Sequence, residues 1–510
     1  MKKRLLFALL LVSVMIALCG CKGGTDNGSG KGNTASGGSV VVGITNDLDS
    51  LDPHKAVAAG TNEVLYNIFE GLVKADSNGV MQPAVCSKYV VSDDALTITF
   101  TLRDNVRFHN GDVVTAEDVI YSLERVAGKL GGDTIKVISA FSIISDIKEQ
   151  TGDDGSTQIV VTLSEPSTEL IYYFDCAIIP ADYTEQNSNP VGTGPFKFKS
   201  YTPMENFTMV RNDDYYGTKA HLEEVTFKIF GSTDDAFMEL LAGNVDIYPY
   251  LSYDDTLLLE DSYNIEVGMQ SLAEGLYLNN AYGPLSDVRV RQALSYAVDF
   301  EELDALLTGG QSEVLKTAMF PTFKEFYNED TATSYSYDVE KAKELLKEAG
   351  YEDGFELEIT IPNNYELHVI IGEVLVSQYA KIGVDCTIEL VDWSTWLSDV
   401  YQGRNYQATV IALDATMAPG DVLDYYVSDF KSNFMNFEHE EYDELYNKAL
   451  QATDMDEKIA AYKECQQYLT DNAAAVYLMC PTIMVAVNPE LEGYTFYPVY
   501  VQDMSVVRWK

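Results

Sequence analysis

A chain of 510 residues is too long to fold around one hydrophobic core, so we expect at least two lobes. Its formal net charge of -45 at pH 7 repels phosphate backbones, which argues against nucleic acid as a partner. Hydrophobic residues make up 46% and charged residues 22%, as in folded soluble proteins, which argues against intrinsic disorder as the main state.

The N-terminus predicts secretion followed by attachment to a membrane through a lipid. A basic segment at 2–4 precedes an apolar run at 5–18, which is too short to span a bilayer and is typical of a signal peptide. Cys21 follows Gly20, and this pair resembles the bacterial lipobox, which implies cleavage before Cys21 and acylation of its sulfur. An ordinary secretory signal with coincidental cysteines is the alternative. We therefore expect a lipid anchor on the extracytoplasmic face of the cell membrane, in the periplasm if the host has an outer membrane.

Residues 22–39 are rich in Gly, Ser, Asn and Thr, which predicts a flexible tether between Cys21 and a folded body that begins near Val40. The cysteines of the body are scattered and form no C-x-x-C pair, so we expect free thiols, with one disulfide as the alternative. They are Cys86, Cys176, Cys386, Cys465 and Cys480.

The body mixes strands with helices. Apolar residues alternate strictly over 96–102, which predicts a half-buried strand, and a β-branched run at 159–163 predicts another. Asp338 is placed to cap a helix that begins at the next residue.

A second region gives the fold class. Residues 355–361 alternate, an apolar helical stripe follows over 367–382 and ends at Gly383, and residues 384–390 again have a strand pattern. Strand, helix and strand joined by short links predict a βαβ unit with parallel strands. The sequence therefore predicts an α/β or α+β fold in two lobes.

Several segments of the body occur in an order that resembles a known family. They include Leu-Asp-Pro-His at 51–54 and Gly-Thr-Gly-Pro-Phe at 192–196. The full set is 51–54, 66–73, 83–119, 192–196, 288–299, 337–351 and 382–384. Together with the lipobox, this order resembles the extracytoplasmic solute-binding proteins of the peptide/nickel ABC-transporter family (family 5), which are similar to dipeptide- and oligopeptide-binding proteins.

The resemblance implies a periplasmic-binding-protein-like fold of type II, a two-lobed "Venus flytrap" with an extra subdomain inserted in lobe I. The implied boundaries are 1–20 for the signal peptide, 21–39 for the lipidated cysteine and tether, 40–61, 190–270 and 482–510 for lobe I, 62–189 for the inserted subdomain, and 271–481 for lobe II. Two chain crossings, near 269–276 and 474–481, are expected to form the hinge.

No motif in the chain indicates catalysis or metal binding. His439 begins a near match to the zinc motif H-E-x-x-H, but Asp443 replaces the second histidine. No G-x-S-x-G elbow occurs, and carboxylates are too abundant to single out a catalytic pair. We therefore expect a binding protein without metal or cofactor, and not an enzyme; a secreted hydrolase is the less favoured alternative. The resemblance favours a structural role for His109 in its turn.

The resemblance places the ligand between the lobes. The candidate cleft residues are Thr45, Asn46, Asp47, Leu48, Tyr277, Trp393, Trp396, Asp414, Ala415, Thr416 and Met417. In peptide-binding relatives, a Trp-x-x-Asp element before a proline anchors the ammonium group of the ligand. Aligned on Pro419, the tryptophan is replaced by Ala412 and the aspartate by Ala415, which puts ordinary peptide binding in question. Asp414, one position away, is the candidate substitute, and capping of a turn is its alternative role.

The function that the resemblance implies is that of a monomeric substrate-binding lipoprotein of an ABC importer. It would capture di- or oligopeptides or a related solute and deliver them to a membrane permease and its ATPase. A nickel chelate or an oligosaccharide as the ligand of the same fold, and a peptide-sensing receptor protein, are the alternatives.

Overall fold

The computed structural model describes residues 37–131, 135–259, 262–269, 271–414, 416–499 and 501–510, without the side chains of 332 and 333. The predicted signal peptide, Cys21 and most of the tether lie outside these residues. Within them, no helix has both the length and the apolar character needed to cross a membrane. The described residues belong to one compact unit.

Strands and helices are interspersed along the described chain. The strands are β1 (Ser39–Ile44), β2 (Val73–Ala75), β3 (Met81–Pro83), β4 (Cys86–Val91), β5 (Thr97–Leu102), β6 (Ile144–Thr151), β7 (Thr157–Leu163), β8 (Phe196–Thr202), β9 (Asn206–Arg211), β10 (Glu224–Ile229), β11 (Ile247–Tyr248), β12 (Asn264–Met269), β13 (Leu272–Leu278), β14 (Glu313–Val314), β15 (Phe355–Pro362), β16 (Val384–Val391), β17 (Ala408–Asp414), β18 (Val476–Cys480), β19 (Thr482–Val487), β20 (Leu491–Glu492) and β21 (Arg508–Trp509). The α-helices are α1 (Ala59–Leu65), α2 (Ala116–Val126), α3 (Thr233–Leu241), α4 (Tyr253–Leu259), α5 (Val288–Tyr296), α6 (Phe300–Thr308), α7 (Val339–Glu348), α8 (Glu366–Ala380), α9 (Trp393–Thr395), α10 (Asp421–Asp424), α11 (Glu440–Gln451) and α12 (Met455–Asp471). Short 3-10 turns occupy Ser139–Ile143, Leu170–Asp175, Gly283–Ser286, Pro321–Phe326 and Glu329–Thr333, and a π-helical segment occupies Trp396–Gln402.

Three sheets organise the molecule. Lobe I contains a seven-stranded sheet in the order β12-β19-β11-β1-β10-β9-β8, in which β1 is parallel to β10 and β11. Lobe II contains a six-stranded sheet in the order β14-β18-β13-β17-β15-β16, in which β15 is parallel to both of its neighbours. The inserted subdomain contains an antiparallel sheet in the order β4-β5-β7-β6. The predicted class, with two lobes and an inserted subdomain, is therefore confirmed, while the residue boundaries of the lobes stay predictions.

The βαβ unit predicted over 355–390 is confirmed. Leu357, Ile359 and Ile361 of β15 are buried under α8, and β15 pairs in parallel with β16 over its whole length. Gly383 ends the helical segment with a φ of +82°, a left-handed conformation that suits glycine. The predicted cap is also present, since the Asp338 side chain accepts a hydrogen bond from the backbone N–H of Lys341.

The chain passes between the two large sheets at two short links. One link lies between Met269, the last residue of β12, and Leu272, the first residue of β13, and the other is Pro481, between β18 and β19. The strands on either side of the links also pair, because Met269 lies opposite Thr482 in one sheet and Glu274 lies opposite Met479 in the other. The two crossings therefore lie side by side.

Each large sheet has its own hydrophobic core, and some side chains belong to the core of a neighbouring body. Lobe II places Met417, which is 5% exposed, in the core of the inserted subdomain among Leu72, Phe100 and Phe174. The five body cysteines form no disulfide, so the prediction of free thiols is confirmed.

Candidate functional site

A cavity of about 1060 Å³ lies between lobe II on one side and lobe I with the inserted subdomain on the other. Aromatic rings from both sides contribute to its walls, namely Tyr66, Phe69, Tyr172, Tyr173, Tyr401, Tyr425, Phe430 and Tyr497. Charged groups on the walls are Glu70, Lys74, Lys136, Asp175, Asp414, Asp421, Asp424, Asp429 and Lys431. A space of this size, with aromatic walls and a few polar groups, is typical of a site for a small ligand. A smaller cavity of about 400 Å³ is lined by residues of lobe II alone.

The lobe II wall of the cavity is built around two aspartates at the ends of α10. The chain leaves the sheet at Asp414, turns through Pro419 and Gly420, and enters the short helix, so that Asp421 and Asp424 lie on one helical face. The Asp421 carboxylate accepts hydrogen bonds from the hydroxyls of Thr416 and of Tyr173. Because Tyr173 belongs to the inserted subdomain, this contact joins the two sides of the cavity.

Asp424 is the less well paired of the two. The hydrogen bond found for its carboxylate in the described residues is a long one of 3.4 Å from the Ser432 hydroxyl. Burial, followed by repulsion from Asp421, raises the pKa of Asp424 to about 8. Burial likewise raises the pKa of Asp421. A cation placed between the two carboxylates would stabilise both of their charged forms.

The opposite wall carries a carboxylate with many partners. Glu70, which is 3% exposed, accepts hydrogen bonds from the hydroxyls of Tyr215 at 2.6 Å and Tyr216 at 2.8 Å. The Lys74 ammonium group lies 3.6 Å from Glu70 and 3.9 Å from the centre of the Tyr66 ring. Burial, together with the Glu70 charge, raises the pKa of both Tyr215 and Tyr216, so their hydroxyls stay protonated and donate.

His54 lies on the cavity wall, but its ring is occupied by the protein. Its Nε2 contacts the Ala177 carbonyl at 2.8 Å, and Arg125 donates to its Nδ1 at 3.2 Å. Because an arginine only donates, Nδ1 must accept, and the ring is therefore neutral with its proton on Nε2. Burial lowers the pKa of His54 to about 4, and Arg125 is held in turn by Asp52 at 2.7 and 2.9 Å. This arrangement fixes lobe I to the inserted subdomain and leaves neither ring nitrogen for a metal.

His109 likewise has a structural role, as the resemblance favoured. Its Nδ1 accepts from the backbone N–H of Gly192 at 3.3 Å, and its Nε2 donates to the carbonyl of Gly194 at 3.1 Å. Across the part of the chain that the structure describes, no group of three or more His, Cys, Asp or Glu residues is arranged to hold a metal ion.

The structure brings part of the predicted cleft set to the cavity. Asp414, Thr416 and Met417 line it, whereas Ala415 lies outside the described residues. Thr45, Asn46, Asp47 and Leu48 do not line the cavity. Asp47 instead accepts from the Tyr201 hydroxyl at 2.7 Å and from the Met204 N–H at 2.9 Å.

The three predicted aromatic residues lie elsewhere in lobe II. Tyr277 is 1% exposed in the core, and its hydroxyl donates to the Ala273 carbonyl. Trp396 is also buried and donates to the Thr409 hydroxyl at 3.0 Å, while Trp393 stacks on Trp396 with ring centres 5.0 Å apart. None of the three lines the cavity, and a ligand-binding role for them stays a prediction.

The residues that the sequence analysis missed are Glu70, Lys74, Tyr173, Asp421, Asp424 and Tyr425. One local signal was available, since two aspartates three positions apart follow the Pro-Gly pair at 419–420, which is typical of a helix start. The hydrogen bond between Asp421 and Tyr173, 248 positions away in the chain, leaves no local signal.

Comparisons with known proteins agree with this fold. A family model described as "Bacterial extracellular solute-binding proteins, family 5 Middle" matches residues 80–434. The "Dipeptide-binding protein" of Escherichia coli K12 is 27% identical over 456 residues, which cover 82% of this chain and 84% of that protein. The substrate-binding protein CtaP of Listeria monocytogenes has a TM-score of 0.83 at 25% identity, covering 93% of this chain and 99% of its own. The protein DppA of Helicobacter pylori, solved with the peptide STSA, has a TM-score of 0.78 at 25% identity with the same coverage of both chains.

Proposed function

Since the chain belongs to the bacterial extracellular solute-binding proteins of family 5, a family of ABC-importer binding proteins, we propose that it captures short peptides and delivers them to a membrane permease. The observation that supports a peptide is the pair Asp421 and Asp424 at a cavity between the lobes. A desolvated carboxylate without a full set of donors favours a cationic partner. The α-ammonium group of a peptide is such a partner, and the two relatives named for dipeptides or solved with a peptide agree with this choice.

In this proposal the peptide ammonium group binds at Asp421 and Asp424, with Asp414 at the rim. The aromatic walls bind side chains through contact area and stacking, which demand little specific geometry. Thr416 and Met417 complete the lobe II side of the site. Because the ligand touches both lobes, it stabilises the closed form over the open form, and the permease then recognises the closed shape.

The same proposal includes the lipid anchor, the tether and the lobe boundaries that the sequence predicts. Cys21 carries a lipid, residues 22–39 form the tether, and the body works as a monomer on the extracytoplasmic face of the membrane. Lobe I comprises 40–61, 190–270 and 482–510, the inserted subdomain 62–189, and lobe II 271–481. The variant Cys21→Ala should leave the protein in the soluble fraction, whereas intact protein should partition with membranes and gain the mass of its acyl chains. Equal partitioning of both proteins would contradict the anchor.

Titration calorimetry with tri-alanine and with N-acetyl-tri-alanine tests the ligand. The free peptide should bind at least about tenfold more tightly, because acetylation removes the charge that the aspartates pair with. Solution scattering should show a smaller radius of gyration with the free peptide. If a library of di- to pentapeptides produces neither heat nor compaction, the protein does not bind peptides.

A catalytic role has no support in the relatives named above, which are binding proteins. A nickel chelate held by histidine is disfavoured at this cavity, because both nitrogens of His54 already contact protein groups.

A further inference from the structure

We propose that Glu169 of the inserted subdomain is the centre of a latch that holds lobe II closed over the cavity and positions the lobe II loop that carries Asp421. This inference rests on the proposed opening and closing of the lobes. It concerns a group that does not line the cavity and that no ligand needs to touch.

Glu169 is 8% exposed and lies just before the turn Leu170–Asp175. The donors that the described residues provide to its carboxylate all come from lobe II. They are the Lys458 ammonium group at 3.2 Å, the Tyr462 hydroxyl at 2.5 Å and the backbone N–H of Gly420 at 3.1 Å. Separation of the lobes would remove all three of these partners at once. A buried carboxylate is stable only while it is paired, so these contacts favour the closed form.

The Lys458 side chain of lobe II is held in position for this contact by other groups of the same lobe. Lys458 is 1% exposed, and its ammonium group also donates to the Ala449 carbonyl at 2.8 Å and the Leu450 carbonyl at 3.3 Å. Both carbonyls belong to lobe II, so Lys458 keeps its position when Glu169 leaves. Little ordering of the lysine is therefore needed when the lobes close again, which favours rapid and specific re-formation of the latch.

The latch also sets the wall of the cavity. Gly420 comes directly before α10, and a Cβ atom there would lie 2.9 Å from Glu169 Oε2 and 2.7 Å from the Tyr462 hydroxyl, so a larger residue would push these two side-chain ends away from the loop. On the same loop, Met417 is buried in the core of the inserted subdomain and Asp421 accepts from Tyr173. Three contacts thus fix the loop across the cleft, and Glu169 supplies one of them.

Single-molecule energy transfer on the full protein without any ligand tests this inference. Dyes carried on azide-bearing residues at Val90 in the inserted subdomain and at Met455 in lobe II report the separation of the two sides; both positions are exposed, at 59% and 47%. Wild type should populate a closed state without ligand. Glu169→Gln, which removes the charge and keeps the shape, should raise the ratio of open to closed molecules about tenfold or more.

Tyr462→Phe removes one hydroxyl and no charge, and should raise the same ratio about threefold. This variant also provides a second test of the latch if Glu169→Gln folds poorly. The matched control is Glu165→Gln, an exposed glutamate four positions earlier that should leave the ratio unchanged.

Ligand-free distances identical in wild type, Glu169→Gln and Tyr462→Phe would overturn the latch, and so would a wild type that is entirely open. A lower melting temperature of Glu169→Gln without a change in the distances would also overturn it, because it would show a purely structural role. Failure of the protein to bind any peptide would count against the proposed function alone, since the latch is measured without ligand.

Discussion

The cavity has a carboxylate on each side, and the two are treated very differently by their surroundings. Glu70, on the wall opposite lobe II, receives two short hydrogen bonds from tyrosines and lies near Lys74. Asp424, on lobe II, has one long hydrogen bond and a neighbouring carboxylate. The first is part of the permanent framework, because its charge is already balanced. The second is a free-energy cost in the empty protein, which a cationic ligand can remove.

The largest expected effect that tests this difference between Glu70 and Asp424 is on the pH dependence of stability. The folded-state pKa of Asp424 is raised from 3.8 to about 8. The stability that the protonated Asp424 gives the folded protein is therefore fully present below the unfolded pKa and is lost as pH rises through the folded pKa. Wild type should therefore lose about 2–4 kcal/mol of unfolding free energy relative to Asp424→Asn between pH 5 and pH 8. Urea unfolding of both proteins without ligand measures this difference, and parallel curves would show that Asp424 is already paired.

Glu70→Gln, unlike Asp424→Asn, should destabilise the folded protein. The substitution leaves Lys74 without its carboxylate and weakens the bonds from both tyrosines, so it should lower the free energy of unfolding at pH 7 by about 3 kcal/mol. Asp424→Asn is the matched control and should not destabilise the protein. If Glu70→Gln is as stable as wild type, Glu70 is not part of the framework.

Peptide affinity should depend strongly on Asp424 and only weakly on Glu70, which is the reverse of their effects on stability at pH 7. Asp424→Asn should weaken binding of tri-alanine about 30-fold, or about 2 kcal/mol, and leave the already weak N-acetylated peptide unchanged. Any Glu70→Gln protein that remains folded should lose less than about threefold. Calorimetry of both variants decides the matter, and equal losses would place the ammonium group elsewhere.

The smallest effect is expected at the exposed rim. Asp429 lines the same wall but is largely exposed, so Asp429→Asn should weaken tri-alanine binding about twofold at low salt and have no effect at 0.5 M salt. A loss that persists at high salt would mean that Asp429 contacts the ligand directly.

The sequence predicted well whatever depends on neighbours along the chain. The alternation over 355–361 and the apolar stripe that follows it predict β15 and α8 because each pattern reports one buried face. Tyr277 shows where such reasoning stops. Its place after the hinge suggested the cleft, but β13 lies between β17 and β18 and is covered on both faces, so Tyr277 packs into the lobe II core.

The site itself could be predicted only in part. Asp414, Thr416 and Met417 follow from the position of Pro419 in the family pattern, and they line the cavity. The balance of charge around Glu70 and Asp424 depends on which tyrosines fold against them. Tyr215 and Tyr216 reach Glu70 from about 145 positions away, and no local pattern carries that information.

The side-by-side links, one between Met269 and Leu272 and the other at Pro481, have a mechanical consequence for the proposed opening and closing of the lobes. Two short connections that lie side by side act as a hinge, because they resist twisting and sliding of one lobe against the other and leave one easy rotation. If the lobes open as proposed, one angle describes their relative position, so a single distance measured across the cavity is enough to follow the movement in time.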